Sequence, residues 1–145
     1  RHVHPDGAAS YYLRFGGVAL SSDGLVLAAT SYQDDDSGSN SGSVLVWQRA
    51  DLATSLSTVT PVKLSDPAGA LNDRLGYGGV ALSSNGLVLA VGSKDSDDKG
   101  SDSGAVLVWQ RADLATSLST VTPIKLLDPN GEAGGNLGMR GVALS

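Results

Sequence analysis

Apolar positions fall in short runs separated by turn residues. Gly16-Gly17-Val18-Ala19-Leu20 and Leu25-Val26-Leu27-Ala28-Ala29 flank Ser21-Ser22-Asp23-Gly24, and Asp-Gly between two β-type runs is a strong hairpin signal. The pattern returns as Gly78-Gly79-Val80-Ala81-Leu82 and Leu87-Val88-Leu89-Ala90-Val91 around Ser83-Ser84-Asn85-Gly86, and its first half returns as Gly141-Val142-Ala143-Leu144-Ser145. Gly17, Gly79 and Gly141 are spaced 62 residues apart, so the chain is a tandem repeat whose unit has a hairpin at its core. The two runs of each hairpin are almost continuously apolar and small, as in strands covered on both faces.

A third strand is predicted over Ser43 to Arg49 and again over Ala105 to Arg111. Its alternation sets Val44, Val46 and Gln48 on one face and Leu45, Trp47 and Arg49 on the other. A polar connection from Ala50 to Thr58 suits one helical turn with Asp51 near its start. The fourth strand, Val59 to Leu64 and Val121 to Leu126, contains Pro61 or Pro123, and proline belongs on a sheet edge because it donates no ladder hydrogen bond. Turn-rich loops with Asp66-Pro67 and Asp128-Pro129 return the chain to the next unit.

These elements predict an all-β fold of tandem four-stranded antiparallel β-propeller-type blades, about two and a third repeats in 145 residues. Residues 1–15 read as the end of a preceding repeat, 16–77 as the first blade, 78–139 as the second and 140–145 as the first strand of a third. Trp47, Trp109, Val18, Val80, Leu20 and Leu82 are the expected core and interface positions. A tryptophan at one fixed place per unit fills the space between units, though stacking on a sugar is the other use of such a ring. Residues 44–61 and 106–123 are identical, which reflects either a recent duplication or a loop contact repeated from unit to unit.

Composition narrows the function classes. The apolar fraction of 41% is too high for a disordered chain, and no apolar run reaches the length of a membrane-spanning helix. A net charge of −5 with no Lys/Arg cluster argues against nucleic acid. The absence of cysteine removes disulfides and thiolate metal sites and leaves the compartment open. His2 and His4, two residues apart, form a candidate metal pair without a third ligand. No nucleophile–base set and no phosphate-cradling loop is visible, so the chain is expected not to be an enzyme.

Laid out in this way, the chain resembles the FG-GAP repeat family, the blade unit of integrin-like β-propellers. The closest stretch is Asn72-Asp73-Arg74-Leu75-Gly76-Tyr77-Gly78-Gly79-Val80, followed by Leu89-Ala90-Val91-Gly92-Ser93 and Ser103-Gly104-Ala105-Val106. Leu75-Gly76 stands where the family has Phe-Gly, and Gly92-Ser93-Lys94 where it has Gly-Ala-Pro; Leu13-Arg14 and Thr30-Ser31-Tyr32 depart further. The resemblance implies an extracellular or cell-surface setting and a calcium-binding acidic loop between the second and third strands. Asp95, Asp97, Asp98 and Asp102 in one copy and Asp34, Asp35, Asp36 and Asn40 in the other are the residues it points to. Ca²⁺ takes six to eight oxygens around a glycine-allowed turn; the same residues also suit a solvated acidic loop with Asx turns. Lys99 stands where another oxygen is wanted, and Gln33 replaces Asp95 in the first copy.

Two function classes follow. One is a structural repeat protein: so few blades close no ring, so their faces and edges need further repeats or further copies of the chain. The other is a calcium-stabilised adhesion propeller that binds a protein or glycan ligand. Near-identical units favour the first, because a specific site needs dissimilar loops.

Overall fold

A computed structural model of the chain describes residues 16–145. The His2/His4 pair and the expected end of a preceding repeat lie outside the described residues. Two four-stranded antiparallel sheets make up the fold of the described residues, each a simple meander. The first contains β1 (Val18–Leu20), β2 (Val26–Ser31), β3 (Ser43–Gln48) and β4 (Val62–Leu64); the second contains β5 (Leu75–Leu82), β6 (Val88–Ser93), β7 (Ala105–Gln110) and β8 (Ile124–Leu126). Their registers agree: Ala28 opposes Val46 as Ala90 opposes Val108, and Lys63 opposes Leu45 as Lys125 opposes Leu107.

The hairpin turns form as the sequence predicts. Ser21 N–H donates to Val26 O, Gly24 N–H donates to Ser21 O, and Asp23 Oδ1 accepts Ser21 Oγ–H at 2.6 Å and Leu25 N–H at 3.0 Å. Asn85 does the same for Ser83 and Leu87. Gly24 and Gly86 both have φ of 71°, the left-handed conformation that glycine adopts without strain. The helical turn expected in the following connection is a single 3-10 turn at Leu56–Thr58, repeated at Leu118–Thr120. Asp51 stands ahead of it, accepting Thr54 N–H and Oγ1–H. β4 and β8 are edge strands, shorter than expected because each begins only after its proline. Residues 140–145 form no strand; a first strand in this fold is paired by the second strand beyond its hairpin.

Alternation along β3 and β7 divides the core. Val26, Ala28, Val44, Val46 and Leu64 of the first sheet pack against Leu82, Leu89, Val91, Leu107 and Trp109 of the second. Ala29, Leu45 and Trp47 lie on the other face of the first sheet, with Leu27, Leu56 and Val59. The first sheet is therefore covered on both faces. Unlike faces meet: the valine face of one sheet lies on the tryptophan face of the next. A sandwich related by a two-fold axis would instead bring like faces together.

Candidate functional site

The chemistry of this molecule is concentrated at the seam between the sheets. The first hairpin tip bonds to the second, since Ser22 N–H and Oγ–H both donate to Ser84 O at 2.9 Å. Thr30 Oγ1–H donates to Gly76 O at 3.1 Å across the same seam. Below this, the acidic loop of the first copy bonds to the strand entering the second. Asn72, Arg74 and Leu75 N–H donate to the carbonyls of Ser39, Asn40 and Ser41 at 2.9, 3.0 and 2.9 Å. Gly42 lies against Leu75 so closely that a Cβ would overlap its main chain.

That arrangement is then made again. Gly134, Asn136 and Leu137 N–H donate to the carbonyls of Ser101, Asp102 and Ser103 at 2.7, 2.9 and 2.9 Å. Gly104 pairs with Leu137 as Gly42 pairs with Leu75. Even the strained conformations recur, with positive φ at Asn40 and Asp102 and at Arg74 and Asn136. Every partner in the second set lies 62 residues beyond its counterpart in the first.

Side chains complete the seam. Arg111, buried at the end of β7, donates to Gly86 O of its own hairpin, to Thr116 O at 3.0 Å, and to Gln48 Oε1 of the first sheet at 2.6 Å. Burial pushes the guanidinium below its ordinary value. Gln48 returns a bond to Leu114 O at 2.6 Å, and Leu118 enters the core beneath the first sheet. A groove of about 240 Å³ runs here, lined by Val46, Gln48, Val62, Arg111 and Leu114, with no histidine or carboxylate in its lining.

On the other side of the seam, Lys125 pairs with Asp98 of its own copy and, at 2.9 Å, with the buried Asp66 of the other. Its counterpart Lys63 pairs with Asp34 at 2.7 Å and with Asp36. Burial works against both ammonium groups, but these carboxylates outweigh it and hold them above the ordinary lysine value. Burial likewise opposes ionisation of Asp34, and Lys63, Ser43 Oγ–H and Asp36 N–H overcome it, leaving the carboxyl below its usual range. Asp98 is lowered by Lys125 and Ser96. Asp73, buried with one backbone donor at Ala70, is raised by desolvation.

The residues proposed as calcium ligands are thus engaged within the protein. Asp35 Oδ1 accepts Asn40 N–H and Asp97 Oδ1 accepts Asp102 N–H, both at 2.7 Å, each closing its loop five residues on, and Asp34 Oδ1 accepts Asp36 N–H at 3.2 Å, as in an Asx turn. Asp95 pairs with Arg74 at 3.0 Å and with Lys94. Among the described residues no group of three His, Cys, Asp or Glu side chains converges on one metal position. Of the expected interface residues, Trp109 and Leu82 are buried between the sheets, Val80 packs beside them, and Trp47 is buried on the far face. Val18 and Leu20 stand 65% and 55% exposed. Sequence reading missed Lys125, Asp66, Gln48 and Arg111 as seam residues. For Lys125 and Asp66 the available signal was the exchange of Asp34 for Ser96 at equivalent positions beside a retained lysine; Gln48 and Arg111 carry none, because the same residues stand at both copies.

No helix among the described residues is long and apolar enough to cross a membrane. No family model, curated protein or solved structure matches the chain.

Proposed function

We propose that the protein is a non-enzymatic structural repeat protein whose sheets act as propeller-type blades, stacking with further units of the same kind into a larger array or filament. One observation carries this reading: unlike faces meet at the seam, and the main-chain bonds that join the first sheet to the second recur 62 residues on between residues 101–103 and 134–137. A head-to-tail junction of that kind propagates, giving a ring if its rotation closes and a filament if it does not. The groove at the seam supplies packing and a guanidinium held by neutral acceptors, which is a structural use of charge. The resemblance to FG-GAP blades agrees with this reading.

A series of chains lengthened in register, by copies of residues 84–145 added directly after Ser145, tests it. Stability and cooperativity rise with each added unit in a stacked array, because each unit contributes an interface as well as itself. Added units that melt separately, leaving the original midpoint unchanged, would refute the reading. Electron microscopy of the longest members then tells rings from filaments.

A further inference from the structure

The second sheet carries, on its outward side, a copy of the face by which the first sheet holds its neighbour. Where Gln48, Val62, Leu64 and Asp66 meet the second copy, Gln110, Ile124, Leu126 and Asp128 occupy the positions 62 residues on. Ile124 and Leu126 are 59% and 49% exposed. Gln110 and Asp128 are exposed too, and among the described residues neither bonds to another unit. Asp128 is already in the geometry of Asp66: its Oδ1 accepts Asn130 N–H at 2.9 Å, as Asp66 Oδ1 accepts Ala68 N–H at 2.9 Å, and in Asp66 the other oxygen faces Lys125. One end of this face is already covered in the manner of the seam, by residues 134–137 on 101–103.

We infer that this face is a docking surface for one partner, the tryptophan-, arginine- and lysine-bearing face of another 62-residue unit of this type. Asp128 and Gln110 select that partner by pairing with its lysine and arginine. The inference rests on the structural reading above and adds polarity to it. Apolar contact through Ile124 and Leu126 alone would accept any greasy face, including a second outward face. Two outward faces together would bring Asp128 against its own kind, with no ammonium to compensate, and like charges in contact are a means of excluding wrong partners.

The chain has no cysteine, so Ile124→Cys gives a clean accessibility probe. Thiol labelling at position 124 is rapid in the full chain, and at least about tenfold slower once a copy of residues 84–145 follows Ser145. In that extended chain Asp128→Lys restores rapid labelling and lowers the Tm by about 2–4 °C. Changing the appended unit's matching lysine to aspartate reverses both effects. Slow labelling that is indifferent to Asp128→Lys, or a charge exchange that fails to recover protection, would overturn the selection by charge while leaving stacking intact. Labelling as rapid with the appended unit as without it would overturn the docking surface and the structural reading together. Protection that appears in the original chain on concentrating it, with the two introduced thiols then cross-linking on mild oxidation, would seat two outward faces together and so overturn the choice of occupant.

Discussion

Lysines 63 and 125 occupy equivalent positions and meet different sets of carboxylates. Lys63 has Asp34 and Asp36 from its own copy; at the equivalent of Asp34 the second copy has Ser96, and Lys125 takes its second carboxylate from Asp66 of the other copy. Lys125 therefore ties the two copies together. Truncating one member of a buried pair leaves the other unpaired, which costs more than the pair contributes. Asp73 presents the opposite case, a buried carboxyl that burial pushes up. A raised acid pKa means that the ionised form costs stability at neutral pH and that the cost disappears as pH falls through the folded-state value. Asp73→Asn keeps an oxygen for Ala70 N–H and removes the charge. Its Tm is expected above that of the parent at pH 7, with the difference closing as the pH is lowered; a lower Tm at pH 7 would show that the charge is needed.

At the scale of elements, the hairpins, the edge strands and the two faces of β3 were legible, because Asp-Gly and Asn-Gly turns, prolines and strict alternation each act locally. What covers a face was not legible. Residues 44–61 and 106–123 are identical, yet Val46 is buried while Val108 is half-buried, and Leu118 is buried while Leu56 is not. No reading of the residues themselves separates identical strings; only their neighbours do. Val18 and Leu20 were placed at the core or interface for the same reason, from composition without knowledge of what lies opposite. The repeated loop does make a contact across the seam, through Leu114 and Leu118. The glycines beside the acidic loops give an element-scale test. Gly42 and Gly104 have φ of 83° and 79°, and a Cβ on either would overlap the segment it faces. Gly42→Ala, at the seam between complete sheets, is expected to lower global stability by about 2 kcal/mol or more. Gly104→Ala, which faces residues 136–138, is expected to speed amide exchange there with little change in the main unfolding transition. Equal loss of global stability in the two variants would contradict this division.

For the whole molecule, the seam and loop charges set the pH limits of the fold. Asp34 lies below the ordinary carboxyl value of 3.8, so its contribution is complete above that value and is lost as pH falls through the lower folded-state pKa. Lys63 and Lys125 lie above 10.5, so theirs is complete below that value and is lost as pH rises through the higher one. Thermal melts across the pH range are expected to show losses below 3.8 and above 10.5 and, between them, a plateau broken only by the gain as pH falls through the raised Asp73 value; a sharp optimum near neutrality would assign the main titration to other groups. The bonds from residues 72–75 to the loop at 39–41 are made by peptide groups. At this part of the seam the distance from one layer to the next is consequently written in the main chain, with Gly42 leaving room for the close approach. Rim residues can then be replaced wholesale, even by an inserted recognition peptide, while the spacing of the two sheets stays the same.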